Sequence, residues 1–450
     1  VTKIRNTHYG NVVRIPCYVG AMSASPHPTT LTNYRRNYVL GMVNGACFGF
    51  VDSIVSPYLV LSVFVNTLGA PNLLVGLLPA IANGGWYLPQ FLVSHRIQRL
   101  PREQMVYRSV AIVRVIVWSA LTAATFFAGH NSPLLLSIFF LLFTINALAA
   151  GIAGTPFLDI VAKTIPVERR GSYFGGRDLW GALMAIAAGY LVSLLLNPAL
   201  APAFPINFGI LFALATLSVA MGVGAFSLVI EPAGTATTNV TFFDQVRATR
   251  GLVRANPVYR RFLLTRIVLA ISDIASPFYA IYATRVLDIP AETIGIYIGI
   301  STIAGLVANP LWSRASDRRG NRIVLLGAAS CLLALPLLAF LFGFLPRGPA
   351  LALPFGVLFL LNGIARPAAN IAYPSYLLEI APAAERPLYV SFTNTILGIA
   401  TFVPVIGGTL LDLFGFRALF LIALVISFVA WWLARGLSEP RQQKRTQVSS

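Results

Sequence analysis

Long apolar runs, each broken by a short polar stretch, recur along the whole sequence. Crossing a hydrocarbon core of about 30 Å takes roughly 20 helical residues, and about twelve runs reach that length. They cover 37–67, 72–94, 106–128, 133–160, 173–197, 205–230, 262–285, 291–313, 322–345, 350–379, 388–411 and 415–437. A membrane β-strand would instead show segments of about ten residues with alternating polarity. The runs are too long and too continuous for that, so the pattern predicts an all-α membrane protein. Composition agrees: 57% of residues are hydrophobic and 11% charged, with a mean hydropathy of +0.75. A soluble domain carries about 25% charged residues.

The formal charge of +18 raises the possibility of a nucleic-acid partner, but the positions of the basic residues say otherwise. With the N-terminus inside, they fall in the inside segments. Lys3, Arg35, Arg96, Arg99, Arg102, Arg108, Lys163, Arg169, Arg170, Arg177, Arg247, Arg254, Arg318, Arg322 and Arg386 are examples. The outside loops hold only Arg285, Arg347 and Arg417, while Arg114, Arg266 and Arg366 lie within runs. This is the positive-inside asymmetry of a multi-pass protein. It predicts cytoplasmic termini, a plasma-membrane location and no nucleic acid. The polar tail before Tyr38 lacks the order of a signal peptide, so the first span is expected to serve as an uncleaved one. Cys17, Cys47 and Cys331 are far apart, and the four histidines have no ligand spacing; no disulfide framework, metal site or cofactor is predicted.

The two halves of the chain resemble each other in order. "SPY" at Ser56–Tyr58 answers "SPF" at Ser276–Phe278, and "LGAPNLLVG" at Leu68 answers "LDIPAETIG" at Leu287. "IPVERRGSY" answers "APAAERPLY" at a similar offset. Internal repeats of this kind occur in transporters. The expected organisation is a cytoplasmic tail (1–36), a six-helix bundle (37–230), a cytoplasmic linker (231–261), a second six-helix bundle (262–437) and a C-terminal tail (438–450). In "TFFDQVRATRGLVRANP" the apolar and basic residues separate onto two helical faces, which suits a helix on the inner leaflet or a solvated linker helix.

The most specific local signal is "SRASDRRGNR", Ser313 to Arg322, between the eighth and ninth spans. It resembles the loop signature of the major facilitator superfamily, with Asp317, Arg318, Gly320 and Arg322 in place and Ser313 where that family usually has glycine. The corresponding loop of the first half keeps Arg96, Arg99 and Arg102 but no aspartate. The resemblance implies two pseudo-symmetric six-helix bundles around a central cavity, working by alternating access. A carboxylate beside arginines at a helix end can form a charged latch that breaks when the halves rock; otherwise these residues only set topology. The Gly-Pro-x-x-x-Gly-Gly-like pattern of the family's drug antiporters is absent from the fifth span. Pro404, Gly407 and Gly408 form a looser version in the eleventh, so no subfamily is assigned.

Charge inside a span costs at least about 2.5–3.5 kcal/mol and normally faces a cavity or a partner. Asp273, roughly 16 Å along the seventh span, and Asp52 in the first are therefore candidate proton-coupling carboxylates; the alternative is a structural ion pair with a buried arginine. Arg366 and Arg114 are candidates for substrate binding, together with the polar side chains Asn44, Gln90, Asn362 and Asn370 and the indole of Trp86. Asn83 and Asn146 are further amides that a cavity or a helix contact would use. In "GGWYLPQ", Gly84 and Gly85 permit close helix approach. The sequence predicts a secondary transporter of a small organic solute, proton-coupled and functional as a monomer in the lipid bilayer. No nucleotide-binding GxxxxGK[ST] loop is present. A non-transporting receptor or scaffold on the same fold is the first rival. A lipid-modifying enzyme is the second, though the scattered histidines give it no catalytic cluster.

Overall fold

A computed structural model describes residues 28–97, 100, 102–232, 256–382 and 386–440, in which every regular element is helical. The tail before Pro28, the amphipathic linker stretch, the tail beyond Pro440 and the side chains of Gln90, Arg96 and Arg99 lie outside the described residues. The first half holds α1 (Pro28–Ile54), α2 (Val60–Thr67), α3 (Asn72–Ile97), α4 (Gln104–Ala128), α5 (Ser132–Thr164), α6 (Val167–Leu196) and α7 (Ile206–Ser227). The second holds α8 (Pro257–Ser272), α9 (Tyr279–Arg285), α10 (Thr293–Arg319), α11 (Asn321–Phe342), α12 (Ala352–Ile380), α13 (Arg386–Ala400) and α14 (Val403–Arg435). Within the first half α1 packs on α6 and α7, and α4 on α5 and α7; within the second α12 packs on α10 and α11, and α14 on α8 and α11. The halves meet where α6 lies on α10 and α3 on α14.

Among the described residues, nine helical stretches are long and apolar enough to cross a membrane, the last of them, Phe392–Arg435, containing two passes. Gly415, with φ 77°, turns the chain between those passes. α1 and α3 are not among the nine; they contribute the polar residues Asn44, Asp52 and Asn83 to the cavity described below. The arrangement is consistent with the twelve spans expected. Three starts differ from the apolar runs. α1 begins at Pro28 and α8 at Pro257, where Asn256 accepts the Tyr259 N–H as an N-cap. α6 begins at Val167, so the polar "VERRGS" is its first turns and not a loop.

The matched "SPY" and "SPF" segments mark the same break in each half. Helix one stops at Ile54 and resumes as α2, while helix seven passes through a 3₁₀ turn at Asp273–Phe278 before α9. Proline cannot donate to the helical ladder, and Pro57 and Pro277 lie in these breaks. Each short helix beyond its break anchors an aromatic cluster. Phe64 packs against Phe139, Phe208 and Phe212 at centroid distances of 5.3, 5.1 and 5.0 Å, and Tyr282 against Phe416 and Phe420 at 5.1 and 4.9 Å. Such pairs contribute about 0.5–1.5 kcal/mol beyond their buried area. They lie at the end of the molecule opposite Pro28 and Pro440, here called the outer end.

At the other end a second repeated device ties each bundle together. Glu231, just beyond α7, accepts the Glu103 and Gln104 N–H groups at 3.1 and 2.8 Å and caps α4. Glu439, just beyond α14, accepts the Arg322 N–H at 3.1 Å and caps α11. Beside these caps Asn321 donates to Glu379 at 3.0 Å in the second half. In the first half Glu103 takes the equivalent place, beside Asp159. Lys163 bridges Asp159 and Glu231 at 2.5 and 2.9 Å. Burial first, and then the Asp159 carboxylate, push Glu103 up to about 8, with Lys163 opposing and Glu231 adding to the rise.

A carboxyl whose folded pKa is raised holds its proton better folded than unfolded. Its stabilisation is therefore complete at acid pH, below the ordinary glutamate range, and is lost as pH rises toward about 8. The thermal unfolding midpoint should fall between roughly pH 5 and pH 8 in the wild type. In Glu103→Gln, whose amide copies the protonated acid as Asn321 does, that slope should flatten. Equal slopes in the two proteins would remove this role from Glu103.

Candidate functional site

A cavity of about 510 Å³ lies against the inner faces of α1, α3, α4, α5 and α6, with Arg366 of α12 reaching it from the second half. The sequence sets its shape through small residues. A Cβ on Gly85 would meet Ala147 at 2.5 Å, and one on Gly151 would meet the Gly85 carbonyl at 2.2 Å. α3 therefore lies directly on α5, and Trp86 of the "GGW" run joins the cavity wall, 42% exposed.

The polar wall is built from residues that hold one another. Asn44 donates to the Gly222 carbonyl at 2.8 Å, while its oxygen accepts Arg177 Nη1 at 2.8 Å. The same Arg177 nitrogen donates to the Gly41 carbonyl at 2.8 Å, and the guanidinium stands 4.6 Å over Phe157. Arg114, 9% exposed, donates Nε to Asn146 at 3.2 Å and lies 4.8 Å over Phe48. Asn83 donates to the Tyr58 hydroxyl at 3.1 Å. One turn along α4 from Arg114, the Trp118 indole N–H is buried in the wall with no acceptor.

The predicted site residues divide into several groups. Asp52, Arg114, Arg366, Asn44 and Trp86 come together in this one wall, as do Asn83 and Asn146. Asp273 lies outside the wall, accepts the Ser276 hydroxyl and is an electrostatic neighbour of Arg366, as is Asp52. Arg366 thus has both carboxylates as electrostatic neighbours. The ion pairs found among the described residues are both on Lys163, so none joins Arg366 or Arg114 to an acid. Asn362 and Asn370, one helical turn either side of Arg366, are not in the wall. Gln90 lies in α3, with its side chain outside the described residues.

One basic residue lies elsewhere than the sequence predicts. Arg177, expected as a topology-setting charge of a cytoplasmic loop, is in the cavity wall, because α6 starts before its apolar run and places Arg177 about 15 Å along the helix. Tyr58, Tyr107 and Trp118 also line the cavity and carry no sequence signal that separates them from core aromatics.

The loop motif has a structural use within the second half. Gly320, at φ 90°, ends α10, and a Cβ there would meet Glu439 at 2.3 Å. Arg322 donates to the Arg435 carbonyl at 2.8 Å. Asp317 and Arg318 are exposed at the same helix end. The contacts of Arg322 stay inside one bundle.

The halves meet tightly nearer the outer end. A Cβ on Gly408 would meet the Asn72 carbonyl at 2.3 Å, one on Gly76 the Pro404 carbonyl at 2.1 Å, and one on Gly295 the Gly189 carbonyl at 2.1 Å. Asn72 donates to Asp412 at 2.6 Å across the same seam. The "VPVIGG" run of the eleventh span is thus a packing surface, where small residues let helix backbones touch.

Two apolar helical bundles, the first holding a cavity that one arginine of the second reaches, define an integral multi-pass membrane protein. The sequence profile of the Major Facilitator Superfamily matches residues 261–449. The chain is 26% identical over 182 residues to "Multidrug resistance protein MdtG" of Dickeya zeae (strain Ech586), a match covering 38% of this chain and 42% of that relative. The matched segment thus spans less than half of the relative's length. The fold is similar to that of the nucleoside transporter NupG, with TM-score 0.61 and 15% identity over 91% of this chain and 99% of that one. It is also similar to that of a D-xylose-proton symporter, with TM-score 0.64 and 16% identity over 90% and 99%. The profile match thus lies in the second half of the chain, and the solved structures share its fold; no subfamily is assigned.

Proposed function

We propose that this chain is a secondary active transporter that moves a small organic solute across the plasma membrane by alternating access, coupled to protons. The halves 37–230 and 262–437 are the rocking units, 231–261 joins them, and both termini face the cytoplasm. The observation that supports this best is the seam itself. A polar cavity receives one arginine from the opposite half, and beyond it the halves touch backbone to backbone. The functional unit in this reading is the monomer. Asp317, Arg318, Gly320 and Arg322 would form the inner gate when the cytoplasmic ends close.

Coupling rests on Asp52, Arg366 and Asp273. A carboxylate at membrane depth needs neutralising, and either a cation or a proton does this. A solute that engages Arg366 leaves a proton as the remaining neutraliser of Asp52 or Asp273. Proteoliposomes containing a pH-sensitive dye, screened with a mixed solute library, test this. At least one solute should move protons in the wild type, and Asp273→Asn or Asp52→Asn should abolish proton movement. Equal solute movement without protons in wild type and both variants would rule coupling out.

A further inference from the structure

The cavity wall carries three guanidinium groups, Arg114, Arg177 and Arg366, against one carboxylate, Asp52. Arg177 is occupied by Gly41, Asn44 and two aromatic faces. Arg114 has one hydrogen bond, from Nε, and Arg366 has no hydrogen bond or ion pair among the described residues. Trp118, on the same face of α4 as Arg114, keeps a buried indole N–H without an acceptor. Guanidinium and indole are donors only. A buried donor left unpaired is costly, and a buried charge more so. Arg114 and Trp118 are the buried groups here, whereas Arg366 and Asp52 are exposed to the cavity side, so the unused hydrogen-bonding capacity of the buried part of this wall is on the donor side.

Building on the transport reading above, we infer that the solute is an organic anion: an apolar, aromatic-compatible body with a carboxylate head. The head lies between Arg114 of the first half and Arg366 of the second, with the Trp118 N–H as a further donor, and the body lies against Trp86 and Phe48. A guanidinium suits this role because its fork matches the two oxygens of a carboxylate. Two arginines from opposite halves also let one head group draw the halves together, and Asp52 beside them excludes dianions by repulsion. The cavity volume of about 510 Å³ lies within the range of small-molecule sites.

The test is equilibrium binding to the purified full chain with three probes that share a phenyl body: phenylacetate, phenylacetamide and phenethylamine. Phenylacetate should bind tightest. Arg366→Gln should weaken it roughly tenfold to hundredfold, since charge-assisted hydrogen bonds are lost, and Arg366→Lys should recover part of the loss. The unliganded unfolding midpoint of each variant reports that it is folded. Tighter binding of phenethylamine, equal binding of all three, or phenylacetate binding indifferent to Arg366→Gln in folded protein would overturn the inference. Binding requires neither translocation nor protons, so the two readings fail separately. If a non-anionic solute is carried with protons while phenylacetate does not bind, only the solute class falls. If phenylacetate binds through Arg366 but no solute crosses, only the transport reading falls.

Discussion

Replacing Gly408 with leucine should open the outer end of the molecule. The Cβ alone would stand 2.3 Å from the Asn72 carbonyl and 2.6 Å from the Leu73 Cα, both backbone atoms of α3 that no rotamer change can move. The clash is therefore relieved by separating α14 from α3. Overpacking a close contact costs about 1–3 kcal/mol, enough to shift a two-state equilibrium roughly 5- to 150-fold. Gly295→Leu, which meets the Gly189 carbonyl and Ser193 N, should act in the same direction from the α6–α10 contact. Spin labels at the exposed positions Leu200 and Leu345, between α6 and α7 and between α11 and α12, measure the opening. The background is a protein in which Cys17, Cys47 and Cys331 have been replaced. The label distance should lengthen in either variant. An unchanged distribution in folded protein would mean that the seam is not a hinged contact.

Arg177→Ala should be among the most destabilising changes in the first half. The guanidinium ties α6 to α1 through the Gly41 carbonyl and the Asn44 side chain, and covers the Phe157 ring at 4.6 Å. Removing it leaves the buried Asn44 oxygen without its donor, at about 1–3 kcal/mol, loses a second bond to the helical Gly41 carbonyl, and strips a cation from an aromatic face. Arg177→Lys keeps the charge but loses the planar fork, so it should recover only part of the loss. Thermal unfolding in detergent, read in both variants, checks the order wild type, lysine, alanine. An alanine variant as stable as wild type would return Arg177 to the role of a topology-setting charge.

The contrast between Arg177 and Arg366 explains how much of the site the sequence could disclose. Every span must satisfy its own backbone in lipid and present apolar side chains to it, so the twelve runs stand out and a charge such as Asp52, Arg114 or Arg366 inside one is conspicuous. Arg177 sits close after "VERRGS", a polar stretch that reads as loop although it is helical, so its depth was hidden. Tyr58 and Trp118 are invisible for the opposite reason, because an aromatic in an apolar run looks like core. Asn362 and Asn370 were conspicuous but lie outside a wall built almost entirely from the first half. The duplication was legible at "SPY" and "SPF", which break a helix in each half. The paired caps by Glu231 and Glu439 were legible only as Glu-Pro after each bundle, a signal too short to notice without seeing which N–H groups it satisfies.

Alternating access is the central claim, and labelling of a cavity cysteine tests it most directly. Ala82 lines the cavity without joining its polar network. In the background without native cysteines, Ala82→Cys would be exposed to a membrane-impermeant thiol reagent from one face of the membrane at a time. The account predicts labelling from both faces, with the outer-end rate lower in the wild type and raised by Gly408→Leu. Labelling from the cytoplasmic face alone, in both proteins, would contradict it and leave a receptor or scaffold on this fold.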